Sequence, residues 1–189
     1  NAITGYKIYR AETEDGVYSL LSTVASTATS GSVIVTAPTT NGAAYYYKVQ
    51  TLGTISGYDS DLSNSVELVC SYAATGAPTS VTMDVTNVAP GAEATLAWSG
   101  ATPGQNNAIA GYKIYRSETA DGTYTLMETV TTVEAFGSAT VTAPTADGVT
   151  YYYKVQTVGE LEGSDSDLSN TYAALACTYS SPSAPNRVS

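Results

Sequence analysis

The chain has 189 residues, of which 17 are acidic and seven are basic, so its formal net charge at pH 7 is −10. A phosphate backbone repels a chain of this charge, which argues against nucleic acid as a partner. The sequence contains no histidine, which removes Ser-His-Asp triads and histidine-based zinc sites from consideration.

An internal repeat determines the organisation of the chain. Residues 1–64 align with residues 107–170 at an offset of 106 without a gap, and 40 of the 64 aligned pairs are identical. After one inserted residue, Cys70 aligns with Cys177. Similarity this close predicts two copies of one domain. Residues 71–106, which contain the single tryptophan, have no counterpart ahead of the first copy.

Alternating apolar and polar residues predict strands, and the first copy shows two of them in chain order. The first lies within residues 6–10, where Tyr6 and Ile8 share a face. The second lies within residues 45–51, whose odd-numbered side chains share a face. Residues 96–98 alternate in the same way.

Turn signals separate these strands. Asp15–Gly16 and Asn41–Gly42 are typical of tight turns, and they recur as Asp121–Gly122 and Asp147–Gly148. Short strands at this spacing, without a sustained 3.6-residue period, predict an all-β chain of tandem antiparallel β-sandwiches. The first sandwich lacks its first two strands within this chain.

The motifs of the second copy resemble, in their order, those of a fibronectin type III domain. A Pro-led first strand at Ala77–Pro78 precedes a second strand with Trp98, and a "GYxIYR" pattern follows at Gly111–Arg116. A "Y-x-V-x-V"-like pattern at Tyr151–Val155 comes next, and "SDLSN" at Ser166–Asn170 precedes the final strand. The resemblance implies tandem fibronectin type III-like, immunoglobulin-like domains of a bacterial-type secreted or cell-surface protein.

The same resemblance assigns a structural role to two tyrosines. It implies that Tyr45 and Tyr151 are tyrosine-corner residues, whose hydroxyls bond nearby backbone. Tyr47 and Tyr153 stand where the family usually has a smaller aliphatic residue.

The repeat and the resemblance together predict the domain boundaries. Residues 1–75 form a partial domain without its first two strands, and residues 76–180 form a complete one. Residues 181–189 are a linker and the start of a third repeat, because residues 184–189 match residues 77–82.

The two cysteines occupy equivalent positions. Cys70 shares a face with Val66 and Leu68, which predicts a buried thiol that acts as a small apolar side chain. A bridge between Cys70 and Cys177 is not expected, whereas an intermolecular bridge stays open because each domain has one cysteine.

Three further groups of side chains are candidates for a site. Two D-x-D pairs could begin a calcium site or could simply cap backbone groups in a loop; they are Asp59 with Asp61 and Asp165 with Asp167. An outward aromatic face could stack on sugars or partner proteins, or could pair across strands; its residues are Tyr9, Tyr46, Lys48, Tyr115, Tyr152 and Lys154. Carboxylates at turns could suggest glycosidase chemistry, which needs two carboxyls across a cleft; they are Glu12, Asp15, Glu118, Asp121, Glu160 and Glu162.

These observations predict a protein that is not an enzyme and that needs no cofactor or metal. We expect a structural repeat unit of an extracellular or cell-surface fibre, stalk or filament, which contacts copies of itself or neighbouring repeats of a longer chain. The alternative is an adhesive module of a secreted enzyme, an adhesin or a phage structural protein, which binds carbohydrate or a surface protein. Membrane insertion is not expected, because no apolar run approaches the roughly 18 residues of a membrane helix.

Two assemblies are compatible with the partial first domain. The chain is either a window of a longer covalent array, or a subunit whose residues 184–189 feed the next subunit as in donor-strand assembly.

Overall fold

The computed structural model describes residues 1–179, and every regular element in that range is a strand. The predicted all-β class is therefore confirmed. No helix with the length and apolarity of a membrane span occurs among the described residues. The chain divides into two compact units, the first at Asn1–Ser71 and the second from Tyr72 onward.

The first unit contains one antiparallel sheet of four strands in the order β2-β1-β3-β4. Its strands are β1 (Ile3–Ala11), β2 (Ser19–Ala25), β3 (Ala44–Gly53) and β4 (Val66–Val69). The predicted turn at Asp15–Gly16 lies between β1 and β2, where the Gly16 N–H donates to the carbonyl of Thr13 at 3.0 Å. Gly42 precedes β3 with a φ of 80°, which favours glycine.

The second unit contains two sheets, which makes it the predicted sandwich. One has three strands in the order β10-β7-β5, and the other has five in the order β6-β12-β11-β8-β9. The strands are β5 (Ser80–Met83), β6 (Asn87–Val88), β7 (Glu93–Ser99), β8 (Ile109–Ser117), β9 (Thr125–Val130), β10 (Phe136–Thr142), β11 (Val149–Gly159) and β12 (Ala173–Cys177). All pairs are antiparallel except the short contact of β6 with β12.

The core of the second unit lies between its two sheets. Leu96 and Trp98 of β7 alternate inward, as their spacing predicts, and pack in one cluster with Tyr112, Ile114 and Val155 of the opposite sheet. The Trp98 and Tyr112 rings lie 5.1 Å apart between centroids. The contact that holds the two sheets together therefore depends on the strand that the first copy lacks.

The first unit corresponds to only one sheet of this sandwich. Residues 30–36 align with β10 and include the identical pairs Gly31 with Gly137 and Val35 with Val141, yet residues 31–38 form no regular structure. In the second unit β10 hydrogen-bonds to β7, and the first unit contains no strand equivalent to β7 among its residues. A strand without a pairing partner leaves its backbone groups to water, so the similar segment of the first unit stays irregular.

Equivalent side chains are buried to different extents in the two units. Val49 is 37% exposed, whereas its equivalent Val155 is fully buried. Val66 is 68% exposed, whereas Ala173 is buried. The inward face of the first sheet is thus only partly covered, because a second sheet does not pack on it.

The division between the units falls slightly before the predicted boundary at residue 75. The Thr75 N–H donates to the Ser164 carbonyl at 3.0 Å, and its hydroxyl donates to the Thr157 carbonyl at 3.1 Å. These bonds attach residue 75 to the second unit. The partial domain at residues 1–75 and the complete domain at residues 76–180 stay predictions, and the predicted linker and start of a third repeat at residues 181–189 lie outside the described residues.

The stability of the second unit should be sensitive to substitution of Gly137, because this residue lies opposite Trp98 in the pair formed by β10 and β7. A Cβ at this position would lie 2.5 Å from Cζ2 of the Trp98 ring. We expect Gly137→Ala to lower the free energy of unfolding of the second unit by about 1–3 kcal/mol, as overpacking does. Urea denaturation measures this change.

The matched control is Gly31→Ala, at the equivalent position of the first unit. A Cβ at Gly31 has no atom within 4 Å, so we expect a change of about 0.5 kcal/mol or less. Equal effects of the two substitutions would contradict the difference between the units.

Candidate functional site

The outward tyrosines of the two sheets pair across strands. The Tyr9 hydroxyl donates to Oε1 of Gln50 at 3.0 Å, and the Tyr115 hydroxyl donates to Oε1 of Gln156 at 2.9 Å. The tyrosine lies on β1 in the first unit and on β8 in the second, and the glutamine lies on the neighbouring strand, β3 or β11. The same bond therefore occurs in both copies and ties two strands together.

The outward lysines cover aromatic rings. Lys48 Nζ lies 4.5 Å from the ring centroid of Tyr18, and Lys154 Nζ lies 5.1 Å from that of Tyr124. A cation over a ring face is attracted by the ring quadrupole. These rings are consequently occupied within their own unit, and a sugar that stacked on them would have to displace a lysine.

The third outward pair differs between the copies. The Tyr46 hydroxyl donates to Oε1 of Glu67 at 2.6 Å, and this hydrogen bond raises the pKa of Tyr46 above its ordinary value. The equivalent Tyr152 instead packs edge-on against the Tyr172 ring, with 5.3 Å between centroids. The aromatic face thus consists of local pairs, and the geometry supports the cross-strand alternative.

The two serines of the "SDLSN" motif hydrogen-bond to the backbone of a central strand. In the second unit the Ser166 N–H donates to the Thr157 carbonyl, and the Thr157 N–H donates to the Ser166 hydroxyl oxygen, both at 2.9 Å. Ser169 makes the same two bonds with Val155, at 2.9 and 3.1 Å. We call Ser166 and Ser169 the serine clasp. These bonds satisfy the backbone groups of Val155 and Thr157 on β11, which lie beyond the residues that pair with β12.

The first unit repeats the serine clasp with Ser60 and Ser63. Ser60 exchanges the same two bonds with Thr51, and Ser63 exchanges them with Val49. The sequence indicated that serines of this loop could cap backbone groups, but it did not show which strand they bond. The three-residue spacing of the two serines, which reaches alternate residues of one strand, was the signal available.

The first aspartate of each D-x-D pair is engaged in the scaffold. Asp165 Oδ2 lies 2.6 Å from Lys113 Nζ, and its Oδ1 accepts the Gly159 N–H at 3.2 Å. Asp59 Oδ2 lies 3.8 Å from Lys7 Nζ. The hydrogen bond to Asp165 raises the pKa of the Lys113 ammonium.

The second aspartates, Asp61 and Asp167, are exposed. Within residues 1–179 no cluster of three or more His, Cys, Asp or Glu side chains has an arrangement that could hold a metal ion. The first aspartates, Asp59 and Asp165, each accept a backbone N–H, from Gly53 and Gly159 respectively, which is the loop-capping geometry.

The tyrosine-corner assignment to Tyr45 and Tyr151 is wrong. The hydroxyl that bonds backbone across the loop is that of Tyr153, which donates to the Thr142 carbonyl at 3.3 Å. Tyr47 makes the equivalent bond to the Thr36 carbonyl at 3.1 Å. Burial raises the pKa of the Tyr153 hydroxyl, so it stays protonated and can donate.

Tyr45 and Tyr151 have a different role. The Arg10 guanidinium carbon lies 4.2 Å from the Tyr45 ring centroid, and that of Arg116 lies 4.1 Å from the Tyr151 ring centroid. Tyr47 and Tyr153, which stand where the family usually has a smaller aliphatic residue, are thus the tyrosines whose hydroxyls bond to the preceding segment.

The two cysteines are free thiols. The predicted burial of the thiol is wrong for Cys70, which is only partly buried because the inward face around it lacks a covering sheet, whereas the equivalent Cys177 is fully buried. Their carbonyls accept the N–H groups of Gly148 and Gly42, each at 2.8 Å.

The turn carboxylates all lie at exposed positions; they are Glu12, Asp15, Glu118, Asp121, Glu160 and Glu162. Glycosidase chemistry requires two carboxyls that face each other across a cleft.

The lack of the first two strands in the first copy predicts a gap in its core, and the structure shows this gap on the inward face of the first unit. We call the surface formed by Tyr6, Ile8, Val24, Val33 and Val49 the uncovered face. It borders an open groove of about 460 Å³. Its equivalents in the second unit are Tyr112, Ile114 and Val155 of the buried core, and Val130 and Ala139, which pack against that core.

Comparisons with known proteins found only distant similarity to solved structures. No protein-family model matches the chain, and no curated protein sequence matches it. Among solved structures, the FN1–FN3 domains of chicken CNTN1 are 14% identical, with a TM-score of 0.42, over 93% of this chain and 56% of that one. The selenomethionine-substituted chicken interferon gamma receptor alpha chain is 11% identical, with a TM-score of 0.42, over 92% of this chain and 85% of that one. At this level of similarity the matches carry no argument about function.

We expect Ser169→Ala to destabilise the second unit. The substitution leaves the Val155 N–H without its acceptor in a fully buried site, and an unpaired buried donor costs about 1–3 kcal/mol. Urea denaturation provides the measurement. In the exposed clasp of the first unit, Ser63→Ala should change the free energy of unfolding by about 0.5 kcal/mol or less, because water replaces the hydroxyl.

We expect Tyr153→Phe to lower the free energy of unfolding by about 0.5–1.5 kcal/mol, the contribution of one hydrogen bond. Tyr151→Phe removes a hydroxyl from a ring whose described contact is with Arg116, and it should have an effect of about 0.5 kcal/mol or less. Thermal or chemical denaturation distinguishes the two. A larger loss of stability from Tyr151→Phe than from Tyr153→Phe would instead support Tyr151 as the tyrosine-corner residue.

Proposed function

We propose that the chain is a non-catalytic structural repeat unit of an extracellular or cell-surface fibre, stalk or filament, within a bacterial-type secreted protein. The observation that supports the proposal is the set of contacts that the repeated residues make in both copies. The motifs common to both copies build the same scaffold contacts: the Tyr9–Gln50 pair and its equivalent, the serine clasp, and the aspartate–lysine pairs.

A repeating structural unit needs this kind of identity, because each copy must present the same shape to its neighbours. The residues in question stabilise sheets: the Tyr9 and Tyr115 hydroxyls bond within their own unit, and Lys48 and Lys154 lie over the Tyr18 and Tyr124 rings of the same unit. A net charge of −10 keeps such a unit soluble and opposes nonspecific association.

Localisation of the natural protein tests this proposal. Antibodies raised against the chain should label surface filaments or stalks of intact source cells in immunogold electron microscopy. Cells in which the gene has been deleted provide the control. Label confined to the cell interior would contradict the proposal.

The mass of the natural protein under denaturing conditions tests the mode of assembly. A mass near 19.5 kDa supports separate subunits, and a much larger mass supports a continuous array. Saturable binding of the isolated chain to a glycan or a host surface protein would favour the adhesive alternative.

A further inference from the structure

An open groove recurs at the same place in both units, beside the hairpin that joins β1 to β2 and β8 to β9. Its volume is about 430 Å³ in the first unit and about 390 Å³ in the second. Every residue that lines the groove of the second unit has its aligned counterpart in the lining of the first. Because the second unit has both sheets of the sandwich, the groove is independent of the uncovered face.

We call this feature the hairpin groove and define it by three lining residues in each unit. They are Arg116, Glu118 and Met127 in the second unit, and Arg10, Glu12 and Leu21 in the first. The arginine and the glutamate are identical in the two copies, and the third residue is apolar in both. Met127 is 49% exposed and Leu21 is 44% exposed. Each is the extra residue of a β-bulge on the edge strand of its sheet.

The charged side chains of the hairpin groove make no ion pair with any residue that the structure describes. Among residues 1–179 both ion pairs involve lysines and lie outside the groove. The Arg116 guanidinium instead lies over the Tyr151 ring. The groove therefore presents one positive and one negative group, together with an exposed apolar side chain, and nothing in its own unit neutralises either charge.

We propose that the hairpin groove is a self-association surface, whose occupant is the hairpin groove of a second copy of this chain. Under a two-fold axis the arginine of each copy faces the glutamate of the other, so both charges are paired at once. The exposed apolar side chain of each copy fills part of the partner's groove. This inference rests on the proposed structural role, because it names the partner of the repeating unit.

Other occupants would satisfy the hairpin groove less completely. An acidic ligand would pair with Arg116 but would bring like charge to Glu118, and the net charge of −10 would repel it. A neutral ligand would desolvate both charges without pairing them, which is unfavourable. Because three side chains per copy make a small contact, we expect the association to be weak.

Sedimentation velocity on the full chain tests the proposal, in about 0.15 M salt so that the net charge is screened beyond about 8 Å. We expect the sedimentation coefficient to rise with chain concentration, as in a weak equilibrium between monomer and dimer. A charge-reversed chain that carries Glu12→Arg and Glu118→Arg should have a dissociation constant about tenfold higher or more. In that chain arginine would face arginine across the contact.

The matched control carries Glu160→Arg and Glu162→Arg, which change the net charge by the same amount at exposed positions outside the groove. It should associate at least as tightly as the unsubstituted chain, because a smaller net charge reduces repulsion between copies. A weaker association of the Glu12 and Glu118 variant is therefore attributable to the groove.

A mixture of two charge-reversed chains adds a gain of association to this loss. The complementary variant carries Arg10→Glu and Arg116→Glu, and it should not associate with itself, because glutamate would face glutamate. An equimolar mixture with the Glu12 and Glu118 variant should associate about as tightly as the unsubstituted chain, because every groove then meets one of opposite charge. Circular dichroism checks that each variant retains its strands.

Three results would overturn the proposal. The first is a sedimentation coefficient of the unsubstituted chain that stays constant as concentration rises. The second is equal association of the Glu12 and Glu118 variant and its control, a comparison that decides even where the complementary variant does not fold. The third is a mixture of folded variants that stays monomeric. Surface label in the immunogold experiment together with a monomeric chain would overturn this inference alone and leave the proposed function standing.

Discussion

Backbone pairing is the constraint on which the rest of this structure depends. A strand persists only where its N–H and C=O groups find partners and where its apolar face is covered. In the second unit β7 fulfils both conditions, because it pairs with β10 and β5 and directs Trp98 into the core. Without an equivalent of β7, the first unit keeps one sheet and leaves residues 31–38 irregular.

The sequence allowed the class, the repeat and the inward alternation at Leu96 and Trp98 to be predicted, because these depend on local periodicity. It did not reveal that residues 30–36 would fail to form a strand, since that outcome depends on a partner distant in the chain. The tyrosine corner was displaced by two residues for a related reason. Tyr151 and Tyr153 have the same period-2 environment, and only the position of the preceding segment decides which hydroxyl reaches the Thr142 carbonyl.

The candidate sites illustrate a similar limit. D-x-D pairs and outward tyrosines could belong to a loop cap or to a ligand site, and composition cannot distinguish them. Their partners do so here: Asp165 bonds Lys113 and the Gly159 N–H, and Tyr115 bonds Gln156. Identity between the two copies thus reflects shared scaffold contacts, and the serine clasp accounts for the repeated "SDLSN" motif.

Amide hydrogen exchange along the intact chain tests the central claim most directly, because residues 30–36 and 136–142 are similar in sequence and differ in pairing. We predict slow exchange at alternate amides of residues 136–142, which bond to β7, and rapid exchange throughout residues 30–36 in the chain alone. Equal protection of the two segments would contradict the account, since it would mean that the strand forms without its partner.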